Sequence, residues 1–108
     1  MAINKKDSFN LSSIRLALFA KVLSHPARIE ILRILAERNT CMCGELVIEM
    51  PLAQSTVSQH LKELKNVGLI IGEIDGPRSC YCLNTKCIEE METLFSGLFS
   101  SVINKCKC

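Results

Sequence analysis

The chain of 108 residues has no tryptophan, one tyrosine and four phenylalanines, so whatever core it builds must be aliphatic. A core of that size is marginal alone, and association with a second copy is an obvious way to stabilise it. Long hydrophobic runs are missing too. The longest apolar stretches are interrupted by Arg15, Lys21 and Glu30, so no bilayer-spanning segment and no membrane partner is expected. The first residues are polar, with Lys5, Lys6 and Asp7, so a secretory signal is not expected and a cytoplasmic protein is. Charge of one sign is scarce: the formal net charge is +2. Residues 1–38 hold seven basic groups against three acidic ones, whereas residues 54–83 balance at three of each. Electrostatics alone therefore does not announce a polyanion as partner. There is also no Cys-x-x-Cys and no βαβ pattern, which argues against a thiol enzyme with an activated cysteine in a pocket. No linker, repeat or low-complexity tract divides the chain, and a single domain over residues 1–108 is expected.

What is present is organised around residues 52–64. Val57, Leu61 and Leu64 recur at spacings of four and three and form one apolar stripe of a helix. The remaining faces carry Gln54, Ser55, Thr56, Ser58, Gln59, His60 and Lys62, short or amide side chains suited to base edges and phosphates. Ahead of it, residues 43–50 read as a shorter amphipathic helix, stopped by Pro51, which has no backbone donor. Short helix, tight turn and polar-faced helix make a helix-turn-helix over about residues 44–67. An ordinary helical hairpin with a water-facing second helix would look the same up to this point. The next residues separate the two. Gly68 stands where a left-handed helix cap belongs, residues 69–74 and 79–83 read as strands, and Asp75-Gly76-Pro77-Arg78 reads as the turn between them. A hairpin over about residues 69–84 directly after a polar-faced helix is a wing. The expected fold is therefore mostly α with a small β-hairpin wing, a winged helix-turn-helix.

Two further helices flank this unit. Residues 11–24 place Ile14, Leu18 and Val22 on one stripe, widened by Leu11, Phe19 and Leu23. Residues 86–105 repeat Ile88, Met91, Phe95, Leu98 and Val102 at spacings of three and four, the seam pattern of helix pairing. Such wide apolar faces around so small a core point to a homodimer joined through the first and last helices; packing within one domain is the plainer alternative. Between them, Pro26 suits the first turn of a helix continued by Ile29, Leu32, Ile34 and Leu35, and His25 beside it reads as a capping or packing residue.

Three segments together resemble the ArsR/SmtB family of bacterial metal- and metalloid-responsive repressors. They are Ser24-His25-Pro26-Ala27-Arg28-Ile29-Glu30-Ile31-Leu32, the run Glu45-Leu46 with Gln54-Ser55-Thr56-Val57-Ser58-Gln59-His60-Leu61-Lys62-Glu63-Leu64, and Gly68-Leu69-Ile70 with Gly76 and Tyr81. The resemblance spans roughly residues 14–84. It implies a homodimer that represses a double-stranded operator until an inducer binds. Position by position it makes Gln54, Ser55, Thr56, Ser58, Gln59, His60 and Lys62 the DNA-facing residues, with Arg78 at the wing tip near the minor groove or a phosphate.

Seven cysteines remain, six of them in three Cys-x-Cys pairs: Cys41 and Cys43, Cys80 and Cys82, and Cys106 and Cys108, with Cys87 alone. An odd count in a cytosolic chain argues against a closed disulfide framework. Cys80 and Cys82 alternate on one face of a strand opposite Tyr81, and that face reads as the core side; Cys87 likewise reads as a small core residue. Cys41 and Cys43 sit at the frayed start of the helix-turn-helix, where two sulfurs two residues apart can converge. Thiolates select soft acceptors such as arsenite, antimonite, copper(I), cadmium or zinc. The pair resembles the Cys-x-Cys arsenic site of part of this family, displaced one residue outward by Gly44. A pyramidal As(III) or Sb(III) site needs a third sulfur, for which Cys106 or Cys108 is the candidate; incidental cysteines in a loose terminus are the alternative. Zinc at the last helix is not expected, because that helix has no histidine. No cofactor is required, and the inducer is the metalloid ion. A rival reading keeps the repressor and makes the cysteines a redox- or persulfide-sensing thiol switch.

Overall fold

The computed structural model describes residues 8–38, 41–42, 50–76 and 79–106. The described elements are α1 (Leu11–Val22), α2 (Pro26–Arg38), α3 (Gln54–Asn66), β1 (Ile70–Glu73), β2 (Cys80–Leu83) and α4 (Thr85–Lys105). The short helix expected over residues 43–50 falls, except for Met50, outside the described residues, as do Cys43, Arg78 and Cys108.

Local chemistry explains where the helices begin. The Asn10 side chain accepts from the backbone N–H of Ser12 at 2.7 Å and caps α1. Pro26 opens α2, and His25 Nδ1 accepts from the Ala27 N–H at 3.1 Å, so the histidine acts as the cap expected of it. Ala27, Ile31 and Leu35, each four residues apart, form the buried stripe of α2. They face Val57, Leu61 and Leu64 of α3 in one aliphatic core with Phe19 of α1.

The end of α3 shows why a glycine is needed there. Gly68 has φ 91°, its N–H donates to the Lys65 carbonyl at 2.9 Å, and the Leu69 N–H donates to the Leu64 carbonyl at 3.0 Å. These are the two bonds of a Schellman cap, and the fully buried Leu64 and Leu69 supply its apolar contact. The chain then enters the hairpin at once. β1 and β2 pair antiparallel in the register Ile70 with Leu83, Ile71 with Cys82, Gly72 with Tyr81 and Glu73 with Cys80.

On its other edge, β2 meets Met42 in an antiparallel bridge to Tyr81. Met42 and Tyr81 are both buried, whereas Cys80 and Cys82 are half-buried. Met42, between Cys41 and Cys43, lies beside the wing, and the helix start expected next to it falls outside the described residues. One expectation changes here. The core side of β2 belongs to Tyr81, because the ring offers far more apolar surface than two thiols. Cys87 is buried in the core, as expected.

The first half of the last helix packs on that core through buried Cys87 and the half-buried Ile88, Met91, Leu94 and Phe95. Beyond them Leu98, Phe99, Val102 and Ile103 are exposed, as are Leu11 at the start of α1 and Phe9 just before it. No described helix is long and apolar enough to cross a membrane.

Candidate nucleic-acid interface and thiol site

Gln54, Ser55, Thr56 and Gln59 are exposed on α3, with Ser58 and Lys62 half-buried beside them. The helix start is bare: Ala53 stands at the cap position and no side chain caps it, so its first N–H groups are open to water or a phosphate oxygen. The wing reaches back to this face. Asp75 accepts from the Ser58 hydroxyl at 3.2 Å and pairs with Lys62 Nζ at 3.0 Å. The hydrogen bond from Lys62, with help from Ser58, holds the Asp75 carboxyl below the usual carboxylate range. Gln59 donates to Glu63 one turn on, at 3.2 Å.

His60 departs from the expected outward set. It is 8% exposed and turned toward α2, where its ring lies 4.4 Å from that of His25. Its Nδ1 accepts from Arg28 Nε at 3.2 Å, and Arg28 also donates to the Val22 carbonyl at 3.3 Å. Burial, followed by the charges of His25 and Arg28, pushes the His60 pKa down, which favours the neutral ring that this hydrogen bond requires. His60 thus positions α3 on α2 from beneath and does not face outward with the other six side chains.

A second set of contacts fixes the far end of α3. Arg15 of α1 donates to the Val67 carbonyl at 3.2 Å, pairs with Glu90 of α4 at 3.0 Å and stacks over the Phe19 ring at 4.4 Å. It also lies 3.6 Å from the Cys87 sulfur. Burial raises the Cys87 thiol pKa, with Arg15 opposing, and the thiol donates to the Val67 carbonyl at 3.5 Å. One arginine therefore joins both terminal helices to the end of the polar-faced helix.

Of the cysteines expected to bind a metalloid, Cys41 is exposed and Cys106 is exposed just past α4. Cys41 is joined by a disulfide to Cys82, with the Cα atoms 4.3 Å apart. Cys80 is also disulfide-bonded. The structure thus unites Cys41 with the wing, a partnership not proposed from sequence and legible only once residues 42 and 81 are known to pair. Among the described residues no group of three or more His, Cys, Asp or Glu side chains stands ready for a metal ion.

Comparison with known proteins gives this arrangement its family. The family described as "Bacterial regulatory protein, arsR family" is matched over residues 25–71. The arsenical resistance operon repressor of Staphylococcus xylosus is 33% identical over 79 residues, covering 73% of this chain and 75% of that one. The crystal structure of Mycobacterium tuberculosis Rv0081 superposes with a TM-score of 0.59 at 32% identity, covering 85% of this chain and 93% of the other. An ArsR-like transcriptional regulator from Rhodococcus sp. RHA1 has the same fold, with a TM-score of 0.69 at 18% identity over 87% of this chain and 88% of that one. A helix-wing unit with an outward polar face, matched by these relatives, makes the chain a winged helix-turn-helix transcriptional regulator of the ArsR family, a DNA-binding protein and not an enzyme.

Proposed function

We propose that this regulator is a cytoplasmic repressor of a metal- or metalloid-resistance operon, released from its operator when a thiophilic inducer such as arsenite or antimonite binds cysteine thiolates. The observation that carries the DNA-binding part is the outward face of α3, where exposed Gln54, Ser55, Thr56 and Gln59 flank an uncapped helix start. Amide and hydroxyl side chains there read base edges, and the free N–H groups take a phosphate. Ser58 and Lys62 join them once Asp75 lets go, and Arg78 serves the wing tip. Two copies pair through α1 and α4, covering Leu11, Leu98, Phe99, Val102 and Ile103, which stand exposed in one chain.

The inducer site in this reading uses Cys41 and Cys43, with Cys106 or Cys108 of the tail as third thiolate. The donor set fits soft trivalent ions and no hard cation. Binding there alters the entry to the helix-turn-helix, so the two recognition helices no longer match successive major grooves. An ion that favours the DNA-free form weakens DNA binding by the same coupling free energy. The resistance-operon assignment draws on the Staphylococcus xylosus relative, whose name describes that role.

The test is fluorescence anisotropy of the reduced chain on its own upstream DNA, titrated with arsenite, antimonite, zinc and cadmium. Binding released by arsenite or antimonite supports the reading, and absence of operator binding removes it. Replacing Cys41 and Cys43 with serine should preserve DNA binding and abolish release.

A further inference from the structure

The meeting of Cys41 and Cys82 follows from strand register. Met42 and Tyr81 exchange both backbone hydrogen bonds, at 2.8 and 3.0 Å. In an antiparallel ladder the residues flanking such a pair occupy narrow, non-hydrogen-bonded positions, with Cα atoms about 4.5 Å apart. Cys41 and Cys82 are a flanking pair at 4.3 Å, with their sulfurs joined. Alternation along the strands settles which way they point. Met42 and Tyr81 take the core side at 4% exposure each, so the two cysteines lie on the outer side, Cys41 exposed and Cys82 half-buried. Small oxidants and dithiols can therefore reach the pair. In a reducing compartment a disulfide so placed is transient, the property of a sensor rather than of a staple.

We propose that Cys41 and Cys82 form a reversible oxidative modification site, closed by a hydroperoxide and reopened by a dithiol, that ties the wing to the segment entering the helix-turn-helix. In closing, the Cys41 thiolate attacks the peroxide. The O–O bond breaks, an alcohol or water leaves, and Cys41 becomes a sulfenic acid. The Cys82 thiol then displaces water from that sulfur, forming the S–S bond. The two thiols together lose two electrons and two protons, and the hydroperoxide is reduced to water and alcohol, or to two waters for hydrogen peroxide. A dithiol restores both thiols through a mixed disulfide. While closed, the Cys41 sulfur has no thiolate to offer a metalloid, so oxidation gates the inducer response. This deepens the reading of Cys41 as an inducer ligand and rests on it only for the DNA-release readout.

The experiment treats the reduced full-length chain with hydrogen peroxide and maps its peptides by mass spectrometry without reductant. A Cys41–Cys82 cross-linked peptide that disappears with dithiothreitol is expected. Dimedone, which traps sulfenic acids, should label Cys41 more strongly in Cys82→Ser than in the wild type, because the resolving thiol is gone. On operator DNA, arsenite should release the reduced wild type and leave the peroxide-treated wild type bound. No Cys41–Cys82 cross-link, or equal dimedone labelling in the two proteins, overturns the site. Arsenite release of the cross-linked protein overturns the gate. If even the reduced chain ignores arsenite, the inducer reading fails, while the wild-type peptide map still decides this proposal.

Discussion

Replacing Gly68 with alanine adds one methyl group to the residue that ends α3, and its consequence can be worked from the backbone. With φ 91°, an L-residue there costs roughly 1–2 kcal/mol. The methyl lies 3.4 Å from the Cys87 sulfur, an ordinary contact that adds little. Stiffening the unfolded chain returns about 0.4–1 kcal/mol, leaving a net loss of about 1 kcal/mol. Gly97 is the internal control. It lies within α4, has no positive φ, and an added methyl would meet nothing within 4 Å. There alanine should gain about 0.5–1 kcal/mol, since glycine is a poor residue inside a helix. In a domain of this size the first change should lower Tm by about 5 °C and the second raise it by about 4 °C. Thermal unfolding followed by circular dichroism, at one protein concentration, reads both. If Gly68→Ala is neutral or stabilising, or the two variants shift in the same direction, the cap does not hold the end of α3 as described.

Three other outcomes are expected. Because the folded His60 pKa lies below its ordinary value of 6.5, the unfolded chain binds the proton first as pH falls. Stability should therefore rise with pH up to about 6.5 from this group and level off above it, and His60→Gln should flatten that slope in urea titrations; an unchanged slope would remove His60 as its source. Arg15→Ala should destabilise by on the order of 1 kcal/mol, since the Val67 carbonyl loses a donor. Glu90→Gln, which leaves that bond in place, should cost less and fade in salt; equal losses would mean that the exposed ion pair dominates. Asp75→Ala frees Ser58 and Lys62 from an internal acid, so operator affinity should rise and its salt dependence steepen; weaker binding would show that Asp75 positions the wing for DNA.

Much of this fold was legible because its signals are local. The Val57, Leu61, Leu64 stripe, the glycine cap and the strand-turn-strand pattern each lie within a few residues, where periodicity and allowed φ decide the outcome. His60 was misplaced by its polarity. It lies three residues after Val57 and four before Leu64, squarely on the buried stripe, and only the packing of α2 reveals His25 and Arg28 waiting for it. The thiol site was hidden for a different reason. Alternation in Cys80-Tyr81-Cys82 says that the cysteines share a face but not which face is wet, and pairing with Met42 is a contact across 39 residues of chain. Contacts of that separation leave no mark in local pattern.

The short connection after α3 has a consequence for regulation. Leu69 donates back to the last turn of the helix, Ile70 already belongs to β1, and the Asn84 N–H returns to the Leu69 carbonyl at 2.9 Å. Helix and hairpin are therefore welded, with no slack residue at which one could swing without the other. In the proposed switch, a rearrangement at the wing would therefore be passed to α3 through these backbone bonds, tilting the welded piece as a whole, so a small rotation at its base would become a larger displacement at its tip.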